Sequence, residues 1–191
     1  MELLSKGRSF MEHILLTENL SIKKPEPNNS KDCWLLQKLD EDKTISGDNG
    51  YLWRLENCFD DIRYLYSSEF YGSPYVIYNQ NDPVGFFDVS PIWWRNVCES
   101  VELSYALLKE ARGKGYMTQV LRAVANQILT DNLNDIKEVS LSIHPENDES
   151  KRVALNAGFV SDGLSKEEQY KQGYALYEKT KVLALKEINK K

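Results

Sequence analysis

The hydrophobic positions between residues 101 and 143 predict a strand, a helix and a second strand, in that order. Val101–Leu108 and Glu138–Ile143 place apolar residues at alternating positions, as strands with one buried face do. Between them, apolar residues recur at intervals typical of a helix that buries one stripe: Met117, Val120, Leu121, Val124 and Ile128. Such a βαβ unit predicts that its two strands are parallel.

The segments before this unit predict a hairpin and a helix. Tyr75–Tyr78 and Val84–Val89 are aromatic and β-branched runs joined by a polar turn, which indicates a hairpin. Apolar residues within Leu52–Tyr66 recur at helical spacing. The N-terminal part is less regular, with a strand expected near Leu20–Lys23 and a turn cluster at Pro25–Ser30.

The segments after the unit predict a second helix and further strands. Asn147 is suited to cap the start of that helix, and Gly158 is suited to end it. A strand is expected to begin at Phe159–Val160. The end of the chain predicts one more hairpin, formed by Glu168–Tyr170 and Tyr174–Val182.

The size and composition of the chain fit one globular domain over residues 1–191. Its 191 residues are 41% hydrophobic and 28% charged, which excludes disordered and fibrous classes. A net charge of −5 argues against a broad nucleic-acid surface and suits a basic acceptor. Because we find neither a secretory signal pattern nor an apolar run that could span a membrane, we expect a cytoplasmic protein with no membrane partner.

The cysteines do not indicate a metal site or a disulfide framework. Cys33, Cys58 and Cys98 are widely spaced and form no Cys-x-x-Cys pair. The whole chain has 2 histidines to join them at a metal. We therefore expect buried or incidental thiols and no metal.

The segment from Glu110 to Met117 carries the most chemical information. Gly113 and Gly115 allow a tight turn that exposes backbone N–H groups, and the following helix adds its positive dipole end. Arg112 and Lys114 add positive charge, so the loop favours a phosphate or pyrophosphate. The spacing matches neither a P-loop nor a dinucleotide fingerprint. Taken alone, the segment is equally consistent with a plain strand-to-helix turn.

This loop resembles the coenzyme A signature of the GNAT superfamily of N-acyltransferases, which is Arg or Gln, two residues, Gly, one residue, Gly or Ala. Arg112–Tyr116 matches it, and Met117 stands where the last small residue is usual. Asn147–Phe159 is similar to the second family element, Asn, two residues, Ser, then Gly-Phe. The order of elements over residues 75–182 is also that of the family. The pattern is most similar to the branch named for RimJ and RimL.

The resemblance implies an α/β (α+β) fold with a mixed, mostly antiparallel twisted sheet flanked by helices, and one parallel splayed strand pair at the acyl-CoA site. It implies an acetyltransferase that uses acetyl-CoA as co-substrate and an amine as acceptor, on a protein N-terminus or a small molecule. A backbone N–H within Tyr105–Leu107 would stabilise the oxyanion. The resemblance places the coenzyme-binding residues on the central strand, the loop and the second helix: Tyr105, Ala106, Leu107, Arg112, Gly113, Lys114, Gly115, Tyr116, Asn147 and Ser150.

Side chains that could transfer protons lie on the polar faces of the two central strands. Glu102 and His144 are candidate general bases, acting directly or through water, if these polar faces coincide. Many superfamily members protonate the leaving thiolate with a Tyr that this chain replaces by Ala154. Ser150 is then the candidate acid, and helix capping is its alternative role.

The connection from Ser90 to Ser100 contains two adjacent tryptophans. Trp93 and Trp94, with Arg95, are interpreted either as a wall of the acceptor site or as a packing or partner surface. The loop position favours a functional role, whereas adjacent aromatic residues are more often structural.

Two other functions compete with an acetyltransferase. A non-catalytic acyl-CoA-binding regulatory module is suggested by Ala154 and by the unassigned base. A nucleotide-using enzyme would fit a general phosphate loop, but the chain has Gly115 where a magnesium-binding Ser or Thr would follow the lysine. Three roles for residues 1–50 are consistent with the sequence: a wall of the acceptor site, a homodimer surface or part of the core.

Overall fold

The computed structural model of the chain describes residues 13–17, 19–26, 29–42, 44, 73–94, 97–130, 136–181 and 184. The helix predicted over Leu52–Tyr66 lies outside them.

Strands and helices alternate along the described residues much as the hydrophobic pattern predicts. The helices are α1 (Ser30–Glu41), α2 (Tyr116–Thr130), α3 (Asp148–Asn156) and α4 (Lys166–Gln172), with a 3₁₀ turn at Lys109–Ala111. The strands are β1 (His13–Leu15), β2 (Leu20–Lys23), β3 (Ser73–Asn79), β4 (Asp82–Trp94), β5 (Val97–Leu107), β6 (Glu138–Ile143), β7 (Val160–Ser161) and β8 (Ala175–Thr180).

The strands form a mixed sheet in which antiparallel pairing predominates. Their order is β1-β2-β3-β4-β5-β6-β8-β7. Strands β5 and β6 are parallel, as predicted from the βαβ pattern, and β3 and β4 form the predicted antiparallel hairpin. The pairs β1–β2, β2–β3, β6–β8 and β7–β8 are also antiparallel. The predicted fold class is therefore confirmed.

The chain divides into two compact units. One comprises residues 1–89 and 105–112, and the other comprises residues 90–104 and 113–191. Strands β4 and β5 each contribute to both units. The prediction of one domain over residues 1–191 stays a prediction.

Helix α1 and the inner faces of β3 and β4 form the core of the first unit. The helix was not anticipated, although Asn29 caps it by accepting the N–H of Lys31 at 3.0 Å. Asp32 is fully buried, and it accepts the hydroxyl of Tyr78 and the N–H of Glu26. The apolar core residues are Cys33, Leu35, Leu36, Leu39, Val76, Tyr78, Phe86 and Ala106.

Gly85 lets strand β4 lie against the end of β5 within this first unit. A Cβ atom at Gly85 would lie 2.4 Å from Cδ2 of Leu107 and 2.7 Å from the carbonyl oxygen of Ala106. The second contact is with backbone, which cannot rotate away as a side chain can. Only glycine therefore permits the observed packing of Ala106 and Leu107.

In the second unit, α2 packs against α3 and strand β6, and α3 packs against β6, β7 and β8. The apolar stripe of α2 is buried as predicted, and so are Val139, Leu141 and Ile143 on one face of β6. Lys179 on β8 is fully buried, and its Nζ donates to the carbonyl of Ala157 at 3.0 Å. Since Ala157 ends α3, the ammonium meets the negative end of that helix dipole.

Two of the predicted elements were wrong. Strand β4 extends through Trp94, so both tryptophans belong to a strand and not to a loop that begins at Ser90. The predicted strand over Glu168–Tyr170 is part of helix α4, because Ser165 and Glu168 form a capping box at its start. Gly173, with a φ of 91°, ends the helix, and β8 pairs instead with β7.

None of the helices within the described ranges is long and apolar enough to span a bilayer.

We expect Gly85→Ala to lower the free energy of unfolding by about 1–3 kcal/mol, because the added methyl group forces backbone apart in a packed strand pair. Urea denaturation followed by circular dichroism measures this change. Ser142→Ala, at an exposed strand position, serves as the control. Equal stability of the two variants would show that the sheet relaxes at Gly85 without cost.

Candidate functional site

The glycine-containing loop between β5 and α2 has the backbone geometry that its sequence predicts. Gly113 and Gly115 have φ angles of 73° and 76°, in the left-handed region that favours glycine. Helix α2 begins immediately afterwards at Tyr116, and the N–H of Gln119 donates to the carbonyl of Gly115 at 3.2 Å. The preceding N–H groups of the first turn have no acceptor within the helix. The loop therefore presents backbone donors at the positive end of a helix dipole, a suitable site for an anion.

The two cations of the loop differ in their surroundings. Lys114 is exposed and forms no ion pair with another residue of the described part of the chain. The guanidinium of Arg112 is bound by protein groups on three sides. Its Nε donates to the carbonyl of Leu107 at 3.1 Å, and its two terminal nitrogens donate to Thr44 at 3.1 Å and Asp42 at 2.5 Å. Lys114 is thus the more exposed of the two cations.

Asp42 is the partner that determines how Arg112 is held. Hydrogen bonds from Thr44, with the Arg112 guanidinium adding to them, keep the pKa of Asp42 below its usual range despite partial burial. Its carboxylate therefore stays ionised at neutral pH. Neither Asp42 nor Thr44 was predicted as a site residue, because 70 positions separate Asp42 from Arg112 and no local motif links them.

The parallel pairing of β5 and β6 is short. Three positions are paired, from Ser100 with Glu138 to Glu102 with Ser140. Both strands continue beyond this point, but β6 is then paired only with β8 in the described residues. The strands therefore separate after Glu102, as the family resemblance implied.

At its end, β5 directs alternate backbone groups to opposite sides. The N–H of Leu108 donates to the carbonyl of Val84 on β4 at 3.0 Å. Because backbone groups alternate along a strand, the N–H and carbonyl of Leu107 point away from β4. The hydrogen bond from Arg112 to the Leu107 carbonyl agrees with this orientation.

The structure does not bring the two candidate bases together. Glu102 is half-buried and lies in register with Ser140, whose hydroxyl donates to the Val101 carbonyl at 3.4 Å. His144 follows β6 four positions after Ser140, which corresponds to about 13 Å at about 3.3 Å per residue. The alternation that suggested these two residues is present, but they occupy different depths along the strands.

His144 is exposed and takes part in the turn that follows β6. Its Nδ1 accepts the N–H of Glu146 at 3.3 Å. In the neutral imidazole this hydrogen bond uses the lone pair of Nδ1 and leaves the proton on Nε2. The Nε2 of this tautomer donates a hydrogen bond and does not accept a proton.

Helix α3 begins as its sequence predicts. The Oδ1 of Asn147 accepts the N–H of Ser150 at 3.0 Å, and Asp148 and Glu149 occupy the first turn. Ser150 is half-buried. Ala154 is fully buried one turn later and offers no proton donor at the position where many superfamily members have Tyr.

The remaining candidates lie apart from this loop in sequence. Trp93 and Trp94 are in β4, and Arg95 and Cys58 lie outside the described residues. Cys33 is in the apolar core, and burial raises the pKa of the Cys98 thiol. Within the described part of the chain, no three His, Cys, Asp or Glu side chains are grouped as metal ligands would be.

Comparison with known proteins identifies one family model over most of the chain. The model of the acetyltransferase (GNAT) domain matches residues 27–160. A search of curated proteins by sequence found no significant match.

Solved structures similar to this chain come from acetyltransferases. RimL, a ribosomal-protein alpha-N-acetyltransferase in complex with coenzyme A, has a TM-score of 0.70 and 21% identity over 88% of this chain and 98% of its own. A chimera of the spermidine N-acetyltransferase SpeG from Vibrio cholerae and hSSAT has a TM-score of 0.66 and 18% identity, over 88% and 99%. An aminoglycoside acetyltransferase in complex with coenzyme A and kanamycin has a TM-score of 0.63 and 17% identity, over 86% and 96%. These similarities show a shared fold.

We expect Asn147→Ala to lower the free energy of unfolding by about 1 kcal/mol, because the first turn of α3 loses its capping acceptor. Asn147→Asp keeps an acceptor oxygen and should retain the wild-type value. Urea denaturation of the three proteins tests this expectation. If the alanine variant is as stable as the aspartate variant, the cap does not stabilise α3.

Proposed function

Since the chain belongs to the GNAT acetyltransferase family, and is therefore an acyltransferase, we propose that it transfers an acetyl group from acetyl-CoA to a primary amine by direct attack. The observation that supports this donor most strongly is the loop at Gly113–Gly115. Its left-handed glycines follow the 3₁₀ turn after a central strand and lead into a helix whose first N–H groups lack intrahelical acceptors. The similarity to RimL supports the branch named for RimJ and RimL.

The proposed donor site uses backbone groups more than side chains. The N–H groups of residues 113–116 bind the pyrophosphate, with Lys114 adding charge. Strand β5 at Tyr105–Leu107 lies along the pantetheine arm and the acetyl group. Asn147 and Ser150, at the start of α3, contribute the remaining polar contacts. No metal is required for this chemistry.

The reaction needs an oxyanion donor, a base and a route for one proton to the leaving thiolate. The amine nitrogen attacks the thioester carbonyl carbon, and the carbon–sulfur bond breaks as the amide forms. The Leu107 N–H, which points away from β4, is the proposed oxyanion donor. Glu102, five positions before Leu107 on β5, takes the proton from the ammonium through water, and His144 is the second candidate. The thiolate takes a proton from Ser150 or from solvent, because Ala154 supplies none.

The acceptor is proposed as an amine on a protein N-terminus or on a small molecule. Similar folds belong to proteins described as acting on a ribosomal protein, on spermidine and on an aminoglycoside, so the fold does not choose among them. A net charge of −5 suits a basic acceptor. A cytoplasmic location and the absence of a nucleic-acid partner, both predicted from the sequence, are part of the same proposal.

The donor is tested by isothermal titration of acetyl-CoA into the wild-type protein and into Gly113→Ala. The variant should bind at least about tenfold more weakly, because a side chain at φ 73° strains the loop and displaces its N–H groups. Gly163→Ala is a matched control, since Gly163 has a φ of 79° and, like Gly113, no atom within 4 Å of its added Cβ. This control carries the same backbone strain outside the loop and should bind normally.

Two results would count against acetyl-CoA as the donor. The first is no binding by the wild-type protein, and the second is tighter binding of ATP. Binding without turnover of any amine in a panel of peptides, polyamines and aminoglycosides would instead favour the regulatory module.

Glu102→Gln should lower kcat/KM for the amine by about 100-fold or more, because a positioned base is lost while the side-chain shape is kept. His144→Gln should lower it by less than about tenfold, since its Nδ1 lone pair is already engaged. Initial rates measured from about pH 6 to about pH 9 test both effects. The control variant is Glu138→Gln, which lies on the same face of the sheet. If the Glu102 and His144 variants both retain the pH–rate profile of the wild-type protein, neither residue is the base.

A further inference from the structure

Arg112 belongs to the family signature, but its surroundings in the structure are not those expected of a phosphate ligand. Its guanidinium donates to a backbone carbonyl, a hydroxyl and a carboxylate, all of them protein groups. Of the roughly five N–H donors of a guanidinium, these three hydrogen bonds use one on each nitrogen and fix the plane of the group. The exposed fraction of its side chain is 31%, and that of Asp42 is 21%.

Asp42 uses both carboxylate oxygens in this contact. Oδ2 accepts from Arg112, while Oδ1 accepts the N–H of Thr44 at 3.0 Å and its hydroxyl at 2.7 Å. Asp42 is also the residue that ends helix α1, where its own N–H donates to the carbonyl of Leu39 at 3.3 Å. The carboxylate is therefore held by local hydrogen bonds in addition to its contact with Arg112.

The carbonyl that Arg112 binds is at a chemically important place. Leu107 ends β5, and its backbone is the part of the strand that the proposed function places beside the thioester. The ion pair therefore joins three points: the end of α1, the end of β5 and the start of the glycine-containing loop. All three belong to the first compact unit.

We propose that Asp42 is a positioning residue which holds Arg112 on the Leu107 carbonyl, so that Arg112 orients the end of β5 and does not bind the phosphates. This inference rests on the proposed function. It assigns anion binding to the backbone N–H groups and Lys114. Asp42 and Arg112 then act as one unit, and the loss of either has the same consequence.

A double-mutant cycle on Asp42 and Arg112 tests the inference. We expect Asp42→Asn and Arg112→Ala to weaken acetyl-CoA binding by about three- to tenfold each, as is usual for a partly exposed, charge-assisted pair. Both should also lower kcat, because the Leu107 N–H is displaced. The double variant should be no worse than Arg112→Ala alone. Titration calorimetry gives the affinities, and steady-state rates with saturating acetyl-CoA give kcat.

A phosphate-binding role for Arg112 makes the opposite prediction for Asp42. Removing the carboxylate would then release the guanidinium, so Asp42→Asn would bind acetyl-CoA as well as the wild-type protein or more tightly. That result, or additive losses in the double variant, overturns the inference while leaving the proposed function intact. No binding by the wild-type protein overturns the proposed function first.

Two controls separate positioning from folding. Glu41→Gln removes the neighbouring ion pair with Lys38 on the same helix, and it should leave binding and kcat unchanged. Thr44→Val removes one hydrogen bond from each of Arg112 and Asp42, and should give a smaller loss of kcat in the same direction. If Asp42→Asn does not fold, the kcat of Thr44→Val decides, and an unchanged value counts against the inference.

Discussion

The site depends on the early end of pairing between two parallel strands. β5 and β6 are paired from Ser100 to Glu102 and then separate while both continue. On the side where a strand loses its neighbour, its backbone donors and acceptors must be satisfied by something else. In the proposed function, the separation supplies binding groups without requiring a particular side chain.

The start of helix α2 forms the second part of the proposed site, and it too offers backbone groups instead of side chains. After the 3₁₀ turn that follows β5, Gly113 and Gly115 allow the chain to turn into α2. The helix then presents N–H groups and a positive dipole end in a fixed direction. Since these groups belong to backbone, their position depends on how the strand end and the loop are held. In the role proposed for Arg112, its contacts with Leu107, Asp42 and Thr44 hold the end of β5.

Local sequence was sufficient for most elements of the second unit and less so for the first. The α2 stripe, the β6 alternation and the Asn147 cap were predicted because each depends on residues within a few positions. Helix α4 replaces the strand predicted over Glu168–Tyr170, because the capping box of Ser165 and Glu168 favours a helix despite the neighbouring aromatic residues. Helix α1 was not anticipated, although Asn29 and the spacing of its apolar residues were available signals.

Short-range forces control the glycine turn and the start of α2, so both could be predicted from neighbouring residues. The order of elements predicted the parallel strand pair, and two motifs in a fixed order predicted the family. Which groups meet across long stretches of chain depends instead on tertiary packing. It separated Glu102 from His144 along the strands, and it paired Arg112 with Asp42. Strand register and ion pairing depend on how distant segments pack, and no periodicity within either segment records that packing.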